Sequence, residues 1–397
     1  IIPNYLTNKG SYPNSVLVPC HTGLWPYSRR SLMDTLIQTA NIKIRSDRPL
    51  DPPGQSIVVF QQKRFLQMTF QTQGCRFSAG GSCSMCNYGY GREPDADRLM
   101  NELHKVLHAC ENRIETILLG ASGSFLDEKE ISQSLRNQIL RAVFQSGIPQ
   151  IIIETHYKSI SDSVLHRISQ LLPGRSIELE VGLETVNPWI GEHILNKHID
   201  LLEFEMMIAA AHRYGMTVTV NLLLGIPFFT EAAQLSDTKA SIRWAISKKA
   251  DYIIVFPLNI HPYTLFEWLY QKGRIQPPSL WLAVRLLSEL DDFELEHVSM
   301  AWYGNRSMDY GEGRTSILPQ SCSICRKTLL PFFRAFYINR DLKSRKRQIA
   351  NLLHSSLSCN CREEVFRKLS AGPGFFESEY QAARHDMEGL VKKDECV

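Results

Sequence analysis

From about residue 65 onward, short runs of apolar and β-branched residues alternate with longer segments whose apolar positions recur every three or four residues. The short runs are FLQMTF from Phe65, IETILLG from Ile114, QIIIET from Gln150, IELEVGL from Ile177, TVTVNLLLG from Thr217 and YIIVFP from Tyr252. Each is long enough for a strand and too short for a buried helix, so they predict six strands. Between them, Leu99, Leu103, Val106, Leu107 and Cys110 fall at helical spacing, as do Ile131, Leu135, Ile139 and Val143. Such stripes predict helices laid over the outer surface of a parallel sheet. Six β–α units in series without a clear reversal of order predict an α/β fold, a partial (β/α)6 TIM-like barrel, with a doubly wound sheet as the alternative. In both, working residues belong in the loops after the strand C-termini.

The flanks break this rhythm. Residues 1–60 read as an N-terminal extension with one helix, SRRSLMDTLIQTA, closed off by the turn-rich DPPG at Asp51–Gly54. Residues 61–290 read as the core barrel. Residues 291–397 read as a smaller C-terminal region; the periodicity changes after residue 279, where a helix, SLWLAVRLLSEL, leads into a short strand and four cysteines.

With 397 residues, 44% hydrophobic and 21% charged, the composition is that of a globular chain, one catalytic domain with appendages at this length. No stretch approaches the roughly 20 apolar residues of a membrane span, and IIPNYLTNKG lacks the basic-then-apolar build of a secretory signal. A cytoplasmic protein with no membrane partner is expected, its start trimmed, since the first residue is not Met. A net charge of +3 is too mild to argue for a polyanionic partner. The densest basic run, Arg340 to Arg347 (RDLKSRKR), reads either as a solvated helix face or as a phosphate-contacting strip.

Cysteine changes the picture. Seven of the ten fall into close-spaced groups, the pattern of metal or cluster ligation in a reducing compartment, with disulfides the alternative. Cys20, Cys110 and Cys396 read as ordinary residues. Directly after the first predicted strand comes Gly74-Cys75, then Cys83-Ser84-Met85-Cys86, a C-x7-C-x2-C arrangement on a glycine-rich loop. Three thiolates can converge on one [4Fe-4S] cluster and leave one iron open to a ligand. Gly80 and Gly81 suit a loop that wraps tightly around inorganic sulfide. Zinc is the alternative at this loop, and would need a fourth ligand; His104 and His108 are candidates, more simply read as exposed helix residues. Cys322, Cys325, Cys359 and Cys361 form the second group, four soft ligands that fit a closed tetrahedral zinc, an auxiliary [4Fe-4S] cluster or no metal.

These cysteines, with motifs that follow them in order, resemble the radical S-adenosylmethionine (SAM) superfamily, and within it the branch of the archaeosine synthase radical SAM subunit and the elongator catalytic subunit. The resemblance covers roughly residues 65 to 290, with weaker echoes to 365. The first cysteine gap is seven residues rather than the superfamily's usual three, which matches the archaeosine-type branch. Tyr263-Thr264-Leu265-Phe266-Glu267, Gly273-Arg274 and Pro277-Pro278-Ser279-Leu280-Trp281 look like that branch too.

The resemblance implies a radical SAM core barrel with Cys75, Cys83 and Cys86 on the cluster. It implies SAM contacts from Ser122, Gly123 and Ser124 in the turn at the second strand's end, for the methionyl amine. Glu154, Thr155 and Glu184 would serve the ribose and amino acid, and Met85 with Gly225, Ile226 and Pro227 the adenine. The CNCRE text at residues 359–363 resembles a zinc-linked segment and favours zinc at the second cysteine group. The implied activity is reductive cleavage of SAM to a 5′-deoxyadenosyl radical that abstracts hydrogen from a substrate. The archaeosine branch implies C–N cleavage on a lysine-modified deazaguanine in tRNA, with a partner subunit to hold the tRNA and a reducing partner such as flavodoxin or ferredoxin. A small-molecule substrate of natural-product biosynthesis is the alternative, and a non-enzymatic metal-binding interaction module a third reading.

Overall fold

The computed structural model describes residues 32–46, 48, 56–89, 91–110, 113–301 and 316–392. Helix α1 (Leu32–Ser46) opens it, so the helix expected from Ser28 runs on to Ser46, while Ser28, the DPPG turn, Cys20 and Cys396 lie outside the described residues. All six expected strands form: β2 (Phe65–Phe70), β3 (Thr116–Ala121), β4 (Gln150–Thr155), β5 (Ser176–Glu184), β6 (Thr217–Leu224) and β7 (Tyr252–Pro257). Two more extend the sheet. β1 (Ile57–Gln62) pairs antiparallel with β2 through a hairpin at Lys63, and β8 (Val298–Met300) pairs parallel with β7. The periodic reading gave the extension one helix and no strand, and put the short strand in the C-terminal region; their pairing makes β1 and β8 the edges of the barrel sheet.

Sheet order follows chain order from β1 to β8, and every pair after the first is parallel. An order with no reversal winds in one sense around an axis, which is barrel topology and not the doubly wound alternative. Among the described residues β1 and β8 do not pair, so the barrel stays open.

Helices fill the intervals: α2 (Arg76–Ala79), α3 (Ala96–Ala109), α4 (Gln133–Gln145), α5 (Asp162–Leu171), α6 (Pro188–His193), α7 (Leu201–Arg213), α8 (Glu231–Ser247), α9 (Leu265–Gln271), α10 (Leu280–Glu289) and α11 (Asp292–His297). After β8 come α12 (Ser323–Ile338), α13 (Leu342–Leu353), α14 (Cys361–Leu369) and α15 (Glu377–Lys392). Starts are set by side-chain caps: Asp95, Ser132, Ser161, Asp200 and Thr230 each accept a first-turn amide hydrogen that the helix itself cannot bond.

Two apolar clusters divide the labour. The larger buries the outward face of the sheet, including Leu66, Ile151 and Val218, against Leu103 of α3, Ile139 of α4 and Leu165 of α5, and continues into α10, α12 and α13. The smaller lies over the C-terminal rim of the strands and joins Ile37 and Ala40 of α1, Ile190 of α6, Phe266 of α9, and Tyr380 and Met387 of α15. Lys43 of α1 also donates to the Leu390 carbonyl of α15. The first and last described helices therefore pack together across the end where the site residues collect.

Part of the basic run is structural. Arg345 of α13 is fully buried and donates to the carbonyls of Leu295, Val298 and Asn339, pinning α13 to the β8 edge. It is therefore removed from any phosphate-contacting strip, a correction the charge pattern alone did not foretell.

Candidate active site

The loop between β2 and α3 carries Cys75, Cys83 and Cys86. It leaves β2 through Gly74 (φ 92°), and Cys75 stands at the N-terminus of α2, with its amide donating to the Tyr88 carbonyl at 2.6 Å to close the loop on itself. Gly81 has φ 87°, and a Cβ there would come 2.6 Å from the side chain of Gln38, so the position admits only glycine. Cys83 adopts φ 61°, a conformation that costs a residue with a side chain of order 1–3 kcal/mol and persists only where neighbours impose it. The neighbours are the Asn196 carbonyl, which takes its amide at 3.0 Å, and the Leu195 carbonyl, which takes the next at 2.8 Å.

The three thiols share a buried neighbourhood. Burial raises the Cys75 thiol to about 11 and the Cys83 thiol to about 12, and pushes Cys86 up as well, and in all three a nearby thiol or carboxylate adds to the rise. They stand near enough that Cys75 and Cys83 each feel Cys86 electrostatically. A cubane would take each thiolate on a different iron. No histidine completes a zinc site here: His104 and His108 lie on the exposed side of α3, opposite Leu103 and Leu107. The hydroxyls of Ser78 and Ser84, both buried on this loop, have no hydrogen-bond partner among the described residues. Buried hydroxyls are rarely left orphaned, and inorganic sulfide is an acceptor that could satisfy them if this loop held a cluster. The donor set fits the expected group.

The other expected residues gather at the same rim. Gly123 sits against Cys75: a Cβ there would lie 2.5 Å from the Cys75 Cβ and 2.4 Å from a Glu130 oxygen. Ser122 lies within 3.4 Å of the Phe70 carbonyl and the Thr72 amide. Ser124 and Thr155 are buried and their hydroxyls bond each other at 2.7 Å, which locks the β3 turn to the end of β4. Glu154 folds over Gly120, where a Cβ would meet its oxygen at 2.9 Å. Glu184 ends β5 at φ 66° and is paired with Lys197 at 2.5 Å. Gly225 (φ 98°) is roofed by Pro278, whose ring leaves no room for a Cβ, so the Pro-Pro-x-x-Trp text is at least in part packing. Met85 packs on the rim cluster that contains Ile226, and the Phe266 amide of α9 donates to the Ser84 carbonyl.

Several site residues escaped the sequence reading. Lys197 is a buried ammonium; burial opposes its charge, but Glu184 beside it and the thiols of Cys83 and Cys86 hold its pKa above the ordinary value. His156 stacks on Phe77 of the cysteine loop at 4.1 Å, and burial lowers its pKa to about 3, so it is neutral. Glu130 accepts from the Ser124 amide and the Thr72 hydroxyl, and burial raises it to about 7. From α1, Gln38 donates to the Gly80 carbonyl, Asn41 to Gly81, and Arg45 to Ser78, Cys83 and Cys86. None carries a motif; each is brought in from a distant part of the chain. Gln38, Asn41 and Arg45 do recur at helical spacing on one face, the one signal that was available.

The second cysteine group differs in every respect. Cys322 and Cys325 start α12, Cys359 and Cys361 start α14, and the four sulfurs all lie within 4.8 Å of one another. Tetrahedral Zn–S bonds of about 2.3 Å put sulfurs about 3.8 Å apart. The Trp281 indole N–H donates to the Cys325 sulfur at 3.2 Å, an outer contact of the sort that orients a metal ligand.

No protein-family model matches the chain. It is similar to archaeosine synthase subunit beta of Methanosarcina acetivorans, 29% identical over 315 residues, which are 78% of this chain and 86% of that protein. The protein of the same name from Thermococcus kodakarensis is 28% identical over 226 residues, 54% of this chain and 68% of the relative. Among solved structures, the radical S-adenosylmethionine methyltransferase TsrM from Kitasatospora setae aligns with 78% of this chain and 62% of its own at 12% identity, with a TM-score of 0.44, an overlap too loose to bear on chemistry.

Proposed function

We propose that this chain is a radical SAM enzyme of the branch it resembles, that of archaeosine synthase subunit beta, and that it binds a [4Fe-4S] cluster on Cys75, Cys83 and Cys86 and cleaves SAM reductively there. The observation that carries this reading is the rim itself: three half-buried thiols on one loop within electrostatic reach of one another, with the Gly123 turn against Cys75 and the orphaned hydroxyls of Ser78 and Ser84 on the same loop. Once bound, the cluster supplies one electron to SAM, breaking a sulfonium carbon–sulfur bond to give methionine and a 5′-deoxyadenosyl radical that takes hydrogen from the substrate.

The chain's own residues hold and orient. The Gly123 turn lets the end of β3 press against Cys75, where any side chain would collide with it. The Lys197 ammonium, with Glu184, offers a charge pair to the amino-acid end of SAM, and the carboxylate of Glu154 an acceptor for hydroxyls or ammonium. Met85, Gly225, Ile226 and Pro227 supply the apolar bed for adenine. The α1–α15 pair above the rim excludes water, which would otherwise quench a carbon radical.

For the substrate, the relatives' name, archaeosine synthase subunit beta, favours a subunit of an archaeosine-forming enzyme over one acting on a small molecule, and on that reading the reaction is the C–N cleavage on a modified base in tRNA that the sequence resemblance implies. A second metal, a single zinc on Cys322, Cys325, Cys359 and Cys361, would tie the C-terminal helices together. The test is anaerobic reconstitution with iron and sulfide, followed by SAM and dithionite. Formation of 5′-deoxyadenosine is expected; an intact cluster that releases none refutes the reading. Hydrogen taken from tRNA bearing the lysine adduct, and not from free base, would assign the substrate.

A further inference from the structure

The inward face of the barrel sheet is not packed shut. Val181 of β5, Val220 of β6 and Ile253 of β7 point outward and are fully buried in the larger apolar cluster, while Gly182, Asn221 and Ile254 beside them point inward and stay half-buried. Cross-strand pairing puts Gly182, Asn221, Ile254 and Ser299 in one inward row running from β5 to β8. The row lies directly beneath the charge pair offered to the amino-acid end of SAM. A Cβ at Gly182 would come 2.6 Å from a Glu184 oxygen and 2.9 Å from the Lys197 nitrogen.

Two side chains of this row carry an oxygen that nothing meets. The Asn221 amide nitrogen donates to a Glu180 oxygen at 2.9 Å, and a carboxylate only accepts, so the amide cannot be turned round and Oδ1 faces away from Glu180. That Oδ1 is buried and has no hydrogen-bond partner among the described residues. Ser299, 1% exposed, lies between the outward-facing core residues Val298 and Met300, and its hydroxyl is in the same state. Buried polar atoms are nearly always satisfied, so two of them on one inward row call for a partner. An amide oxygen can only accept, which requires an N–H or O–H from the ligand at Asn221; a hydroxyl gives or takes, so Ser299 suits a donor or a carbonyl. Two strand spacings, about 10 Å, separate their backbones, with the apolar Ile254 between them. One flat heterocycle with polar atoms along its edge fits that arrangement.

We propose that Asn221 and Ser299 bind the base on which the radical acts: Asn221 Oδ1 accepts an N–H from the edge of a flat heterocycle, and the Ser299 hydroxyl meets the polar atom at the other end of that edge. The class of ligand selected is a base whose edge carries N–H donors together with a carbonyl, as a guanine-type base does. This rests on the radical SAM reading above with a modified base as substrate. Glu180 fixes which end of the Asn221 amide the base meets.

The chain as wild type, Asn221→Leu and Ser299→Ala is reconstituted anaerobically and given SAM, dithionite and tRNA bearing the lysine adduct. KM and kcat for the tRNA and the product formed per 5′-deoxyadenosine released are measured, with iron content and circular dichroism on the same samples. Asn221→Leu is expected to lower kcat/KM for the tRNA about 10–100-fold and Ser299→Ala about 5–10-fold. Product per 5′-deoxyadenosine is expected to fall in both, because a radical formed beside a misplaced ring is quenched elsewhere. If both variants keep the wild-type kcat/KM and the wild-type ratio, the two oxygens are served by water and the proposal is wrong while the radical SAM reading stands. If activity falls only in proportion to iron content, with KM and the ratio unmoved, the residues are merely structural and the proposal is again overturned. Should Asn221→Leu not fold, Ser299→Ala, which removes a single oxygen, decides on the same measurements. A wild type that releases 5′-deoxyadenosine and leaves the tRNA unaltered removes the base as substrate and this inference with it; one with an intact cluster that releases none brings down the radical SAM reading as well.

Discussion

The two cysteine groups use the same ligand atom and arrive at opposite designs. At the C-terminal group, four sulfurs at the starts of two helices come within 4.8 Å of one another, near enough to share one ion. At the rim, three half-buried thiols stand on one loop that is held from outside by α1, by Leu195–Asn196 and by the Gly123 turn. The first is made where the starts of two helices, each bringing two of the cysteines, pack together. The second draws support from three distant parts of the chain, as a site with a position left open for chemistry would require, since its own ligands could not complete it.

The strongest way to break this contrast is Cys83→Ala, expected to reduce iron content and 5′-deoxyadenosine formation to background while zinc content is untouched, as checked by metal analysis of the same sample. Its mirror image, Cys325→Ser, is expected to abolish zinc binding and lower the melting midpoint by about 10 °C, the scale of several kcal/mol in a chain of this size, and to leave iron loading intact. Parallel loss of both metals in either variant would make the two sites one folding unit and end the comparison. Gly123→Ala probes the crowding at the rim; its methyl would have to displace Cys75, so cluster content and SAM cleavage should drop about tenfold with zinc unchanged. Trp281→Phe removes only the N–H that meets Cys325 and should weaken zinc about 10–100-fold in a competition with a chelator, with the fold retained.

The mildest perturbation belongs to neither site. Asp237, buried on α8 behind the rim, accepts from the Thr185 hydroxyl, and burial raises its carboxyl from 3.8 to about 7. A raised carboxyl favours the fold while protonated and loses that contribution as pH climbs from about 4 through 7, where the unfolded chain releases its proton more readily. Asp237→Asn should therefore melt close to wild type at pH 4.5 and gain about 1–3 kcal/mol at pH 8, with both metal contents unchanged. Equal gain at both pH values would mean the carboxyl is not the group responsible.

Much of the frame was legible. The six apolar runs became β2 to β7 because their period and length fit only buried parallel strands, and the stripes of Leu99 to Leu107 and Ile131 to Val143 became buried helix faces. β1 was harder: IVVFQQ is apolar at four of its six positions without alternation and pairs as an edge, where one side of the strand is open. β8 is three residues long and owes its place to the partner it finds in β7. The cysteines and the Gly123 turn stood out by type and spacing. Lys197, His156, Glu130 and Arg45 did not, since each acts through a contact with residues far away in sequence and looks ordinary among its own neighbours.

The chain alone therefore fixed which segments are strands, that seven thiols fall into two sets, and which small residues stand next to them, because all of these depend on local period, spacing and backbone freedom. Folding decided the rest: that four thiols close on a point, that Arg345 is a buried pin and not a phosphate contact, and that the helix of an apparent extension grips the cysteine loop. Distances between sulfurs and the fate of a buried charge depend on what the remainder of the chain brings alongside, and no local pattern of residues carries that.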